Sequence, residues 1–111
     1  MKKFLVLYRM DMVAMQKMMQ ETSAEDRKKS MGEWAEWMKE NAAMFADSGA
    51  PVGKNMQVSS SGATQVSNDI GGYSIVQAES DEAAAKLLAG NPHFQMPGAT
   101  IDVMEIMPMG M

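Results

Sequence analysis

Cysteine is absent from this chain, which excludes disulfide crosslinks, thiolate metal sites and a cysteine nucleophile. A protein without thiols suits a reducing cytosol, and a cytoplasmic location is the expectation. Positive charge is also in deficit: the formal net charge is −4 and the isoelectric point is near 4.9. No general positive field is therefore available to replace phosphate counterions, and nucleic acid is not an expected partner. The basic run Arg27 to Lys29 follows Glu25 and Asp26 and reads as a solvated helix surface. Long hydrophobic runs are missing too. The apolar stretch in MKKFLVLYRMD ends at Tyr8, before Arg9 and Asp11, and is too short for an export signal or a membrane span. Histidine occurs once, as His93, so only carboxylates could complete a zinc site.

Methionine, by contrast, is abundant, with 15 residues. Met10, Met12 and Met15, and Met107, Met109 and Met111 in the tail, could offer thioethers to Cu(I). Most of them lie in apolar periodic segments, where methionine is an adaptable core filler, so no metal or cofactor is expected. The 111 residues fit one domain, 1–111, long enough to bury a core of its own.

The pattern of elements is mixed. KFLVLYR predicts a strand over Lys3 to Tyr8, with Phe4, Val6 and Tyr8 on one face and Leu5 and Leu7 on the other. Met12, Met15, Met18 and Met19 fit a short helix. Thr22 or Ser23 then caps a long one, on which Met31, Trp34, Trp37, Met38, Met44 and Phe45 recur near helical spacing until Gly49 and Pro51 stop it. SSSG predicts a hairpin around Ser60 to Gly62, and SNDIGG a further turn. GYSIVQA alternates Tyr73, Ile75 and Gln77 against Ser74, Val76 and Ala78, which predicts a strand. Ser80 caps a short helix through EAAAKLLAG, and TIDVMEIM supplies the last strand, alternating Ile101, Val103, Glu105 and Met107 with Asp102, Met104 and Ile106. This order is α+β and compatible with a ferredoxin-like βαββαβ unit carrying an extra hairpin. Two main helices cover one face of such a sheet, yet the first and last strands are apolar on both. A second identical sheet would cover the other face of each copy, so a homodimer is expected.

Taken together, KFLVLYR, GEWAEWMKE, APVG, GGYSIVQAESDEAAAKLLAGNPHF and PGATIDVMEIMPM span nearly the whole chain, and in this order they resemble the YCII-related family. The most specific part is GGYSIVQAESDEA followed by NPH. The resemblance implies a small dimeric protein of the ferredoxin-like, dimeric α/β-barrel type with an active-site cleft and, in some members, a histidine and aspartate pair. The DGPF tetrapeptide of the better-known subgroup is missing; VSNDIGG stands in that region, and no role of the tetrapeptide carries over.

The candidate catalytic residues are His93 and Asp102, with Asp69 as another possible carboxylate partner. A carboxylate that orients an imidazole raises the proton affinity of its other nitrogen and makes a general base near neutral pH. The bland reading of His93 is structural, donating to a loop carbonyl or capping the preceding helix. Asp102 could equally be solvated at a strand start. Tyr8, Arg9, Asp69 and Tyr73 are candidate substrate-binding residues: Tyr8 and Arg9 could present a hydroxyl and a guanidinium to a cleft, although Arg9 also fits an ordinary surface ion pair. Trp34 and Trp37 could line a pocket, but their spacing favours one in the core and the other partly exposed or at the dimer interface. Gly71 and Gly72 match no phosphate loop. The expectation is an unknown small molecule bound in a cleft near the strand ends, with His93 as acid or base. The alternatives are a noncatalytic ligand-binding or regulatory module and, by fold analogy alone, a cofactor-independent monooxygenase.

Overall fold

A computed structural model describes residues 1–96 and 98–107, and of Met12 and Gln95 only the backbone. The tail residues Met109 and Met111, considered above as metal ligands, lie outside the described residues. Strand β1 (Lys2–Arg9) leads into helices α1 (Met12–Glu21) and α2 (Ala24–Glu40), then strand β2 (Phe45–Pro51). The hairpin β3 (Met56–Ser59) and β4 (Gly62–Gln65) follows, then β5 (Ile70–Ala78), α3 (Asp81–Leu88) and β6 (Thr100–Glu105).

Each helix starts where a side chain can take up the free amides of its first turn. Asp11 accepts from the Val13 and Ala14 amides, Ser23 from Asp26, and Ser80 from Ala83. Ser23, not Thr22, is thus the cap of α2. Thr22 closes α1 instead, its amide and hydroxyl both donating to the Met18 carbonyl.

Four strands form an antiparallel sheet in the order β2-β5-β1-β6, and β3 and β4 form a separate two-stranded sheet. The chain thus lays its first strand in the middle and its second and last main-sheet strands at the two edges. The period of two puts Phe4, Val6 and Tyr8 on the face that meets the helices, beside Gly72, Ser74, Val76 and Ala78 of β5. Phe4, Val6, Tyr8, Val76 and Ala78 pack with Trp37 of α2 and Ala84 and Leu88 of α3 in one buried cluster. Leu5, Leu7, Tyr73, Ile75, Met104 and Ile106 share the opposite face, and among the described residues none of them belongs to that buried cluster.

Two expectations need correction. The long helix does not run on to Gly49: it ends at Glu40, where Asn41 donates from its backbone and side chain to the Trp37 carbonyl. Phe45 opens β2, an edge strand that takes its hydrogen bonds from β5. Met31, placed on the packing face by its spacing, is 72% exposed, because only the second half of α2 reaches the sheet. No helix of the described residues is long and apolar enough to cross a membrane.

Candidate functional site

On the helix-covered face a cleft of about 360 Å³ opens beside the end of β1, between β2, β5 and the C-terminal half of α2. Trp34, Met38, Met10, Met96 and Pro51 supply apolar wall, and Tyr8, Ser74, Ser48 and His93 supply polar atoms. Among the described residues no charged side chain lines it.

An irregularity in β2 shapes one wall. Pairing with β5 shifts between Asp47 and Ala50, so Ser48 and Gly49 bulge from the ladder. Gly49 adopts φ +79°, and its amide donates to Asp47 Oδ1 at 2.8 Å. The bulge turns the Ser48 carbonyl inward, where it accepts from Ser74 Oγ at 2.8 Å. Since the Ser74 proton is used there, the 2.9 Å contact between Tyr8 Oη and Ser74 Oγ is donated by Tyr8. The two hydroxyl protons thus run in one direction, from Tyr8 to Ser74 to the Ser48 carbonyl, and the phenolic oxygen is left as an acceptor.

Burial pushes the Tyr8 phenol above its ordinary pKa, and the lesser opposing influences of Ser74 and the Asn91 carboxamide do not cancel it. A tyrosine whose folded pKa exceeds the unfolded value of about 10 stabilises the fold fully below that pH, and loses this contribution as the pH rises through the folded value. Ultraviolet titration of phenolate should therefore reveal one tyrosine ionising above the ordinary range, and Tyr8→Phe should delete that late step. A wild-type titration with both tyrosines at the ordinary value would contradict the buried relay.

His93 is 1% exposed. Its Nε2 lies 2.8 Å from the Arg9 carbonyl and 3.1 Å from the Thr100 carbonyl, both acceptors, so Nε2 carries the proton and Nδ1 is the ring's accepting nitrogen when neutral. Arg9 and Thr100 are a registered pair of β1 and β6. The imidazole therefore ties the end of one strand to the start of another, in line with the carbonyl-donating structural reading. Asn91 holds the turn from behind, its Oδ1 accepting from the His93 amide at 2.7 Å. Asn91 Nδ2 is buried and has no hydrogen-bond partner among the described residues.

The proposed pairing of His93 with Asp102 is not formed. Asp102 is opposite Leu7 on the uncovered face, whereas His93 stacks edge-on against Tyr8 on the helix face, 5.6 Å between centroids. Asp102 Oδ2 accepts instead from Arg9 Nη1 at 2.8 Å, and Asp69 Oδ1 accepts from Arg9 Nε at 3.0 Å and Nη2 at 2.9 Å. The Arg9 guanidinium is held charged by the two carboxylates, Asp102 first, and its pKa is raised. This triad is some 40% exposed and is the surface ion pair weighed above, widened to three groups. Of the sequence candidates, Tyr8 and His93 come together at the cleft; Arg9, Asp69 and Asp102 come together on the other face. Tyr73 contributes backbone to the cleft wall, while its strand position puts its ring on the face with Leu7 and Ile75.

Comparison with known proteins finds no family model that matches the chain and no curated protein significantly similar to it. The site therefore rests on its own geometry. Ser74, Ser48 and Asn91 are the additions to the sequence candidates, and Trp34, weighed above as a pocket residue, lines the cleft. Ser74 had a readable signal: a hydroxyl on the same strand face as Val76 and Ala78 needs a partner once that face is buried. The Ser48 carbonyl had none, because a bulge in an edge strand is set by tertiary pairing.

No group of three or more histidine and carboxylate side chains among the described residues is arranged to hold a metal ion.

Proposed function

We propose that this chain is a YCII-related, cytoplasmic protein of ferredoxin-like fold, a homodimer through its uncovered sheet face, that binds an unknown small molecule in the cleft beside Tyr8. The carrying observation is the cleft itself: about 360 Å³, within the size range of small-ligand pockets, with apolar walls and a few convergent neutral polar groups. The strand order β2-β5-β1-β6 with helical crossovers supports the ferredoxin-like reading. Leu5, Leu7, Ile75 and Met104 on the uncovered face support the dimer, since a twofold axis would bury one such patch against its copy.

Ligand binding is favoured over catalysis because the His93 proton is committed to two carbonyls and its nearest sequence-proposed carboxylate belongs to Arg9. The second reading, catalysis with His93 Nδ1 as base, draws on the position of His93 in the cleft wall. A thermal-shift metabolite screen tests both. A ligand at 100 times its dissociation constant should add about 2.7 kcal/mol, and its amide shift changes should centre on Gly71, Gly72 and the Trp34 indole. No stabilising compound, or shifts centred elsewhere, would overturn the binding reading; turnover of a hit that is lost in a folded His93→Gln variant would promote the catalytic one. Light scattering on the same sample should give a dimer mass, reduced to a monomer by Ile75→Lys. A monomeric wild type would remove the dimer.

A further inference from the structure

The cleft's chemistry narrows what it can hold. Resting on the reading of the cleft as a ligand site, we propose that its ligand is a neutral, planar aromatic molecule of one or two rings carrying a hydrogen-bond donor, a phenolic hydroxyl or ring N–H, that is received by the Tyr8 oxygen.

Charge is excluded first. An ionised group taken from water into this cleft would meet no countercharge on its lining among the described residues, and the nearby Arg9 guanidinium is engaged by Asp69 and Asp102 on the other face of the sheet. Such a transfer is strongly unfavourable. Size comes next: 360 Å³ is the liquid volume of about 12 waters, at ~30 Å³ each, which suits a ligand of roughly a dozen non-hydrogen atoms.

Planarity and aromatic character follow from the walls. Gly72 lines the cleft with backbone, and a Cβ there would stand 3.3 Å from the Ala50 carbonyl and 3.6 Å from the Tyr8 ring, while the Met10 thioether lies over Gly71, its Cε 2.6 Å from where a Cβ would stand. A flat ring can lie against such a surface. Trp34 meets Tyr8 edge-to-face at 5.3 Å and 82°, and the thioethers of Met10, Met38 and Met96 surround the space; sulfur and indole edges both favour an aromatic guest over an aliphatic one.

The polarity of the hydrogen bond is set by the relay. Tyr8 gives its proton to Ser74, and Ser74 gives its own to the Ser48 carbonyl. The phenolic oxygen therefore offers lone pairs. Asn91 Nδ2 is the donor that approaches the Tyr8 phenol and favours its ionised form, yet it makes no hydrogen bond of ordinary geometry, so among the described residues the phenolic oxygen keeps a lone pair open. A ligand donor completes it, whereas a ligand bearing only acceptors would face a lone pair.

Calorimetry with four probes on a two-ring carbon skeleton, three flat and one puckered, tests this: 2-naphthol, 2-methoxynaphthalene, 2-naphthoate and decalin. The expected result is saturable binding of 2-naphthol, at least about fivefold weaker binding of 2-methoxynaphthalene, in keeping with one hydrogen bond, and no measurable binding of 2-naphthoate or decalin. Tyr8→Phe should abolish the hydroxyl-to-methoxy preference while retaining binding. Ser74→Ala, which frees the Tyr8 proton, should narrow the preference with the phenol still present and serves if the first variant fails to fold. Equal affinity for 2-naphthol and its methyl ether, or tighter binding of the carboxylate, would overturn the ligand class while leaving the cleft a ligand site. Failure of all four probes, together with a metabolite screen that stabilises nothing, would overturn the site itself; failure of the probes beside a screen hit that maps to Trp34 would overturn only the class.

Discussion

Gly49→Ala is expected to be among the most damaging single-methyl additions in this chain, lowering stability by about 4 kcal/mol or more, at the exceptional end for a point substitution. Two effects combine. Gly49 sits at φ +79°, where a residue with a Cβ is strained by about 1–3 kcal/mol. The added Cβ would also lie 1.6 Å from the Tyr73 carbonyl oxygen and 2.6 Å from its carbon, and both are backbone atoms of the neighbouring strand. No rotamer change relieves such a clash. The β2 bulge must move away from β5, and with it goes the Ser48 carbonyl that holds Ser74 and, through it, Tyr8. For a domain of this size the loss corresponds to a fall in Tm of roughly 15 °C or more. Gly62→Ala is the matched control, since Gly62 also has a positive φ of 136° but open space around its Cβ position. If differential scanning calorimetry places both variants within a few degrees of each other, the close approach of β2 to β5 described here is wrong.

This bulge is also where the sequence was hardest to read. β1, β5, β6 and α3 announce themselves because their apolar residues recur at the period of the element they form, and each faces the core with one consistent side. β2 reads FADSGAP, with few strand formers, a glycine and a terminal proline, and Phe45 happens to continue the helical spacing of Trp34, Trp37 and Met38. Local pattern therefore favoured a longer helix. What makes the segment a strand is the free edge of β5, whose paired residues lie 21 (Pro51 to Gly72) to 31 (Phe45 to Val76) positions away, beyond any local window.

The site divides along the same line. Tyr8 and His93 were visible as polar or titratable groups in apolar surroundings. Their relation was not, because His93 reaches the Arg9 carbonyl across 84 residues of sequence. Asp102 shows the opposite error. Its placement with Met104 and Ile106 on one strand face was readable, but only the register with β1, Leu7 against Asp102, reveals that this face is the one turned away from Tyr8. Chemical suitability suggested a dyad; strand alternation separates its members and hands the carboxylate to Arg9.

His93→Ala is expected to destabilise the protein by about 3–5 kcal/mol, whether or not the cleft performs chemistry. Truncating a fully buried ring leaves a cavity, at a cost of ~2–5 kcal/mol for large core side chains, and removes the donor shared by the Arg9 and Thr100 carbonyls. A buried acceptor left without a partner costs a further ~1–3 kcal/mol, offset where water enters the vacated space. The damage should be local in origin: amide hydrogen exchange should accelerate first at the start of β6, where Thr100 pairs with Arg9, before it does so at the β1–β5 pairing around Phe4 and Val76. His93→Gln retains an N–H donor on a side chain of intermediate length and should recover part of the loss. A purely catalytic histidine predicts the reverse, an alanine variant that melts with wild type and keeps β6 protected; that outcome would remove the strand latch. The distinction governs how any loss of function in His93→Ala is read. A latch that positions Tyr8 through an edge-on ring contact at 5.6 Å would weaken ligand binding by loosening the cleft, and only a variant that restores the two carbonyl bonds without restoring the imidazole separates that effect from proton transfer.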